Sequence, residues 1–122
     1  MITGVDFATV FVTDYSRAVE FYGTTLGLEQ SADYGKIPGG ELETGNLTLQ
    51  VVEAAAVGQD FAPSTHPIAF HVDDVEATRA ELESKGISFL ADTLDSGVCH
   101  MAPFADPDGN LLMLHHRYAP RD

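Results

Sequence analysis

The sequence contains little that would bind nucleic acid, form disulfides or span a membrane. It has 6 Lys plus Arg against 19 Asp plus Glu, a formal net charge of −13, which repels phosphate backbones and anionic membrane surfaces. Cys99 is the only cysteine, which excludes an internal disulfide and a thiolate metal cluster. No apolar run approaches about 18 residues and the N-terminus lacks a basic region, so we expect a cytoplasmic protein without a membrane segment.

Tryptophan is absent too, which removes a favoured stacking surface for a large aromatic ligand. What is present fits a globular protein. Hydrophobic residues make up 44% of the 122 residues and charged residues only 20%, a balance that argues against disorder. A chain of this length is long enough to bury a core but too short for two independently stable domains, so one domain is expected.

The chain repeats itself at an offset of about 60 residues. Residues 10–27 resemble residues 69–86, and at an offset of 60 Asp14 falls on Asp74 while Gly27 is one place off Gly86. In both segments an apolar strand leads to an Asp that can cap a helix, and a glycine follows as the helix stop. Each segment is therefore predicted to be a strand followed by a helix.

The end of each half is also alike. Residues 44–52 and 108–116 share a Gly-Asn turn that leads into an apolar strand. Between the helix and this last strand there is room for two more strands per half: Gln30–Tyr34 with Gly40–Thr44, and Ser88–Leu94 with Val98–Ala105. The predicted fold class is α+β, with two tandem βαβββ units.

We expect residues 1–122 to form a single domain, with unit one at about 5–53 and unit two at about 66–117. Residues 54–65, AAAVGQDFAPST, have no clear periodicity and are predicted to be the linker. A βαβββ sheet has one face covered by its helix and one bare face. Two such units are expected to form a curved mixed sheet around a cleft, which is the natural place for a ligand.

These residues resemble the vicinal oxygen chelate superfamily, which includes glyoxalase I, extradiol dioxygenases, fosfomycin-resistance enzymes and bleomycin-resistance binding proteins. The resemblance is carried by residues 10–28, 68–86 and 104–114, the last reading FADPDGNLLML. It implies the paired fold, a small-molecule ligand and a homodimer. It leaves open whether the cleft lies within one chain or between two subunits.

In the metal-using members that this sequence resembles, four side chains from the first and last strand of each unit hold a divalent ion. The matching places here are Phe7, Gln50, Pro67 and Met113. Oxygen-chelating ions need imidazole or carboxylate, whereas Phe7 and Pro67 offer no donor and a thioether is soft. The sequence therefore predicts neither a metal site nor a cofactor.

The first hypothesis is a metal-independent protein that binds a small organic molecule, for drug or metabolite sequestration. The negative charge favours a cationic ligand. Strand alternation directs one set of side chains to the bare face, and Tyr34 and Phe61 are expected to close over the ligand. The predicted ligand-binding residues are Phe7, Thr9, Phe11, Gln50, Val52, His71, Met101, Met113 and His115.

Two alternatives remain open. One is a metal-dependent lyase, isomerase or dioxygenase with a displaced site at His71, His115 and Gln50, since neighbouring first and last strands would bring the two imidazoles together. The other is a non-catalytic regulatory module whose cleft is filled by its own side chains.

The remaining conspicuous residues have structural interpretations. Asp106–Gly109 is predicted to be a turn and not an acid and base pair. Cys99 has no readable activating neighbour and is expected to be a small buried thiol. On this strand either Cys99 and Met101 or, alternatively, His100 face the cleft. The resemblance favours Cys99 and Met101.

Overall fold

The computed structural model describes residues 1–121, which divide into two compact units, Met1–Pro63 and a second one from Ser64 onward. The boundary falls inside the segment predicted to be the linker. That segment begins with a short 3-10 helix, Ala54–Val57. Among the described residues, no helix is both long and apolar enough to cross a bilayer.

Unit one is a four-stranded mixed sheet with its helix between the first two strands. The sheet order is β1-β4-β3-β2, with β1 parallel to β4 and the other pairs antiparallel. The strands are β1 (Phe7–Val12), β2 (Glu29–Asp33), β3 (Gly39–Glu43) and β4 (Thr48–Glu53), and helix α1 covers Tyr15–Val19.

The first helix begins as predicted and then widens. The Asp14 carboxylate accepts a hydrogen bond from the Arg17 N–H at 3.1 Å, which satisfies one free donor of the first turn. From Glu20 to Thr25 the helix is π-helical, a wider turn in which N–H groups bond five residues back. The consecutive side chains of Phe21 and Tyr22 are both buried there.

Apolar side chains on one face of sheet one form its core. Val10 and Val12 of β1, Leu42 of β3, and Leu49 and Val51 of β4 are all at most 5% exposed. They alternate with exposed or half-buried residues along the strands, as the period of a strand requires, except that Val52 beside Val51 is also buried. Leu49 and Val51 therefore lie on the buried face of the sheet.

Unit two repeats this arrangement with the order β5-β8-β7-β6. Its strands are β5 (Ile68–His71), β6 (Leu94–Asp95), β7 (Cys99–Ala105) and β8 (Leu111–Arg117), and helix α2 covers Val75–Ser84. The Asp74 carboxylate accepts from the Ala77 N–H at 3.0 Å, so the matching cap is confirmed. The α+β prediction of two tandem βαβββ units is correct.

The predicted strand Ser88–Leu94 is wrong, because the strand at this edge is only Leu94–Asp95. The Leu90 N–H donates to the Pro103 carbonyl at 2.9 Å. The reciprocal bond would need an N–H on Pro103, and proline has none. An antiparallel ladder therefore does not extend back from Leu94.

The turn before β8 is structural, as predicted. Asp106 is only 5% exposed, and its Oδ1 accepts from the N–H groups of Asp108 and Asn110, each at 2.9 Å. Its Oδ2 accepts from the Asn110 side-chain amide at 2.8 Å. Gly109 has φ 87°, a backbone conformation that glycine adopts without steric cost.

Candidate functional site

Each sheet has an open face, which we define as the face opposite to its buried core. On the open face of unit one, Phe7 is 51% exposed and Thr9 is exposed beside it in alternation. Across the parallel pair β1·β4, Thr9 lies next to Gln50, and Gln50 lies next to Glu41 of β3. An exposed aromatic ring thus adjoins a line of polar side chains.

Four of these side chains form a continuous hydrogen-bonded chain, the polar row: Thr9, Gln50, Tyr34 and Glu41. The Thr9 hydroxyl donates to Gln50 Oε1 at 2.8 Å, and Gln50 Nε2 donates to the Tyr34 hydroxyl at 3.1 Å. That hydroxyl donates in turn to Glu41 Oε2 at 2.5 Å. Both ends of the Gln50 amide are therefore held in place.

The surroundings of Tyr34 in the polar row raise the pKa of its hydroxyl. Burial is the largest cause that raises the pKa of Tyr34, and the hydrogen bond to Glu41 raises the pKa further, while the bond from Gln50 acts in the opposite direction. Removal of the proton would place a phenolate beside a carboxylate in a half-buried position. Tyr34 is therefore a hydroxyl donor at neutral pH.

A second carboxylate on this face is also fixed. Glu43 accepts from the Ser31 hydroxyl at 2.5 Å and from the Thr48 hydroxyl at 2.7 Å. The bond from Ser31 is the first cause, and that from Thr48 the second, of the lowered pKa of Glu43. Glu43 therefore stays ionised and adds negative charge to the same face as the polar row.

Phe11 and Val52 pair with each other on the open face of unit one. Phe11 is half-buried, but Val52 is only 3% exposed. Val52 packs closely against Gly39. A Cβ atom placed on Gly39 would lie only 3.1 Å from Val52 Cγ2. Contact of these two residues with a ligand stays a prediction.

The open face of unit two has a different composition. Ala69 pairs with Met113, and Met113 pairs with Pro103, where unit one has Thr9, Gln50 and Glu41. Met101 and Met113 are half-buried, as expected of residues that form part of an apolar surface. Their place on the open face agrees with strand alternation, and their role toward a ligand stays a prediction.

His71 and His115 are in register on the parallel strands β5 and β8, as the enzyme hypothesis requires. The His71 ring has its aromatic contact with His116, at a centroid distance of 5.9 Å, and its Nε2 lies 3.4 Å from Asp73 Oδ1. Within residues 1–121, no three His, Cys, Asp or Glu side chains are grouped closely enough to hold a metal ion.

The four positions that the resemblance assigns to metal ligands do not fit a divalent ion. Phe7 and Pro67 have no side-chain donor, and Met113 offers a soft thioether. Gln50 supplies an amide oxygen, but that oxygen already accepts the Thr9 hydroxyl. We derive no chemical step that uses a metal at these positions.

Sequence reasoning missed Glu41 and the hydrogen bonds that the Tyr34 hydroxyl makes with Gln50 and Glu41. The closure of Tyr34 over a ligand stays a prediction. The alternation of Glu41 and Glu43 with Leu42 in β3 could have placed both carboxylates on the open face. Phe61 is half-buried, and its predicted contact with a ligand stays a prediction.

Cys99 is half-buried, so the prediction of a buried thiol is wrong. It is the first residue of β7 and lies on the open face with Met101, while the alternate residues Ala102 and Phe104 are fully buried. Strand alternation at a strand end, where fewer neighbours cover the face, explains this exposure. The set chosen from the resemblance for the open face is correct.

Unit two also contains a polar cavity of about 570 Å³ that sequence reasoning did not find. Many of its groups bind one another: Arg79 donates to Thr93 at 3.1 Å, Thr93 donates to Glu76, and His100 lies 3.4 Å from Asp95. The cavity is lined by Glu76, Arg79, Asp92, Thr93, Asp95 and His100.

Comparison with known proteins gives a matching family model and similar proteins. The Glyoxalase/Bleomycin resistance protein/Dioxygenase superfamily model matches residues 4–114. The uncharacterized protein YraH of Bacillus subtilis (strain 168) is 29% identical over 119 residues, which cover 87% of this chain and 92% of YraH.

Two solved structures are similar over nearly their whole length. A Bacillus anthracis protein described as a glyoxalase family protein has a TM-score of 0.81 at 24% identity, covering 96% of this chain and 97% of its own. A superfamily member from Sphaerobacter thermophilus has a TM-score of 0.81 at 23% identity, covering 93% and 97%. At these identities the two likenesses show the fold alone, while the family model shows that the chain belongs to the Glyoxalase/Bleomycin resistance protein/Dioxygenase superfamily.

Proposed function

We propose that this protein binds a small organic molecule without a metal ion, on the open faces of its sheets, and sequesters a drug or metabolite. The observation that carries the proposal is the state of Gln50, whose oxygen is held by Thr9 and whose nitrogen is held by Tyr34. A polar group fixed beside an exposed aromatic ring is suited to orient an organic ligand.

Superfamily membership does not decide between catalysis and binding. The name of the family covers lyases, oxygenases and resistance proteins, and one fold supports many chemistries. The choice therefore depends on the side chains. The places implied for metal ligands hold an apolar ring, an engaged amide, a proline and a thioether, which suits contact with carbon and a few hydrogen bonds.

The proposed contacts divide by unit. In unit one Phe7 supplies exposed apolar area while Thr9 and Gln50 supply hydrogen bonds. In unit two Met101 and Met113 supply flexible apolar surface. The full proposed set is Phe7, Thr9, Phe11, Gln50, Val52, His71, Met101, Met113 and His115. A homodimer and a cytoplasmic location stay predictions.

A ligand screen in the presence of EDTA tests the proposal. Binding compounds should raise the melting temperature with increasing concentration, and NMR shifts should map them to Phe7, Thr9 and Gln50. Gln50→Leu should weaken binding about tenfold, because one hydrogen bond to a ligand contributes about 1 kcal/mol or slightly more. Gln59→Leu, an exposed glutamine outside the sheets, is the control and should change nothing.

Two results would count against the proposal. If no compound in a broad library shifts the open-face resonances, the face is not a binding site. If protein purified without chelators contains a stoichiometric divalent metal that His115→Ala removes, the enzyme hypothesis with His71 and His115 replaces this one.

A further inference from the structure

We infer that the open face of unit one selects organic cations that carry N–H donors, such as a primary ammonium or an amidinium, over quaternary ammonium ions and anions. This inference rests on the proposed function, because it names the ligand class of the same face. It follows from how the polar row has already used its donors and acceptors.

The hydrogen bonds of the polar row all run in one direction. A carboxylate oxygen of Glu41 accepts, and the Tyr34 hydroxyl donates to it. Tyr34 is then an acceptor toward Gln50, which must present its NH₂ group. The amide oxygen consequently faces Thr9, whose hydroxyl donates to it. Through Tyr34, Glu41 thus fixes the orientation of the Gln50 amide, which lies two hydrogen bonds away.

The groups left for a ligand are mostly acceptors. The lone pairs of the Thr9 hydroxyl, the second lone pair of Gln50 Oε1 and the outer oxygen of Glu41 have no partner in residues 1–121. The donors are nearly exhausted, since the Thr9 and Tyr34 hydroxyl protons are used and Gln50 keeps a single N–H. A ligand rich in acceptors would leave these oxygens unpaired, which costs binding free energy.

Charge acts in the same direction. Glu41 and Glu43 lie on the open face, and the four strands β1 to β4 contain no lysine or arginine. A cation is therefore attracted, and an anion repelled, by fixed carboxylates at short range. The exposed ring of Phe7 on the same face can contact either an apolar group or the cation itself.

Charge alone would not distinguish a primary from a quaternary ammonium, and this is where the inference is specific. A quaternary nitrogen keeps its charge and its contact with an aromatic ring but has no N–H. It therefore leaves the Thr9 and Gln50 acceptors unpaired. Benzylammonium and benzyltrimethylammonium share one ring and one charge, so their comparison isolates the contribution of the N–H donors.

The experiment is an NMR titration of the ¹⁵N-labelled full chain at neutral pH with EDTA. The probes are benzylammonium, benzyltrimethylammonium, benzyl alcohol and benzoate. The side-chain NH₂ signals of Gln50 report binding at the polar row, and those of Gln59 serve as the internal control. We expect benzylammonium to bind about three- to tenfold more tightly than benzyltrimethylammonium, as expected for one or two hydrogen bonds at an exposed site, and benzoate to shift Gln50 least.

The isosteric variant Thr9→Val sharpens the result. It removes the Thr9 hydroxyl and the bond that this hydroxyl donates to Gln50 Oε1, without a change of shape. Two acceptor lone pairs are lost on Thr9 and one is freed on Gln50, so benzylammonium should lose affinity while benzyltrimethylammonium should not. Thr65→Val, at an exposed threonine outside the strands, should leave both affinities unchanged. Circular dichroism of each variant confirms that it is folded.

The outcomes separate the two proposals. If benzyltrimethylammonium or benzoate binds at Gln50 as tightly as benzylammonium, the inference about ligand class is wrong while binding on this face stands. If Thr9→Val weakens both cations equally, the N–H donors are not what the face selects. If no probe and no library compound perturbs Gln50 or Phe7, both the inference and the proposed function are wrong.

Discussion

Units one and two have similar buried cores but different side chains on their open faces. Leu49 and Leu112 occupy matching places in the two sheets and are both fully buried. On the open face, unit one has the hydrogen-bonded line of Thr9, Gln50 and Glu41. Unit two has Ala69, Met113 and Pro103 in the matching places, none of which has a side-chain hydrogen-bond donor.

The next positions along the strands show the opposite contrast. Unit one has Phe11 and Val52 there, whereas unit two has His71 and His115. The repeated core thus constrains one face of each sheet, while the other face is free to vary. We therefore expect function to depend on the side chains of the open faces, with the fold as a shared support.

The largest effect should come from the shared core. Leu49→Ala and Leu112→Ala should each lower the free energy of unfolding by about 2–5 kcal/mol, because each leaves a cavity in a fully buried position. Chemical denaturation measures both. Leu90→Ala, at a leucine that is 60% exposed, is the control and should cost less than about 0.5 kcal/mol. A loss at only one of the two core sites would contradict the equivalence of the units.

The turns before the last strands should differ by a smaller amount. Asp106 fixes its turn with three hydrogen bonds to a buried carboxylate. In unit one, the half-buried Thr44 hydroxyl makes two bonds with the backbone of Leu47, at 2.6 and 3.1 Å.

We expect Asp106→Ala to cost about 2–3 kcal/mol of unfolding free energy and Thr44→Val about 1 kcal/mol, since charged and buried bonds contribute more. Thermal and urea unfolding of the two variants give the comparison. Equal costs would mean that the two turns are held with similar strength.

The smallest expected effect concerns pH and compares Tyr34 of unit one with Tyr118 of unit two. The pKa of Tyr34 is raised above 10.0, first by burial, and the pKa of Tyr118 is raised first by its hydrogen bond to Asp95. Because the folded pKa lies above the unfolded one, each group's stabilising contribution is complete below pH 10.0 and is lost as the pH rises through the folded pKa.

Phenolate absorbance during an alkaline titration measures this. Tyr34→Phe and Tyr118→Phe should each remove one late-ionising group from the profile of the folded protein. If Tyr34→Phe instead removes absorbance that develops at or below the ordinary value, the hydrogen bond from Tyr34 to Glu41 does not persist in solution.

Local signals in the sequence predicted much of the fold. Asp14 and Asp74 as helix caps, and the turn Asp106–Gly109 before the last strand, follow from rules that act over a few residues. The end of the ladder at Leu94 was mispredicted because it depends on Pro103 in the neighbouring strand, thirteen residues after Leu90. Pairing partners of this kind are not contained in a local pattern.

The candidate site was predictable only in part. Strand alternation placed Thr9 and Gln50 on one face, which the structure supports through their direct hydrogen bond. The direction of that bond depends on Tyr34 and Glu41, which are brought together with Gln50 only after β2, β3 and β4 have paired. Side-chain orientation that is set by a third and a fourth residue cannot be read from spacing.

The outer strands β2 and β6 also affect how the molecule behaves among its own copies. An unpaired strand edge is a template on which another chain can add a strand. Strand β6 offers only two residues to such a chain, and β2 has an irregular register between Gln30 and Ala32 and carries acidic residues at both ends. Growth of an intermolecular sheet from β2 and β6, which form one of the two edges of each sheet, is therefore disfavoured.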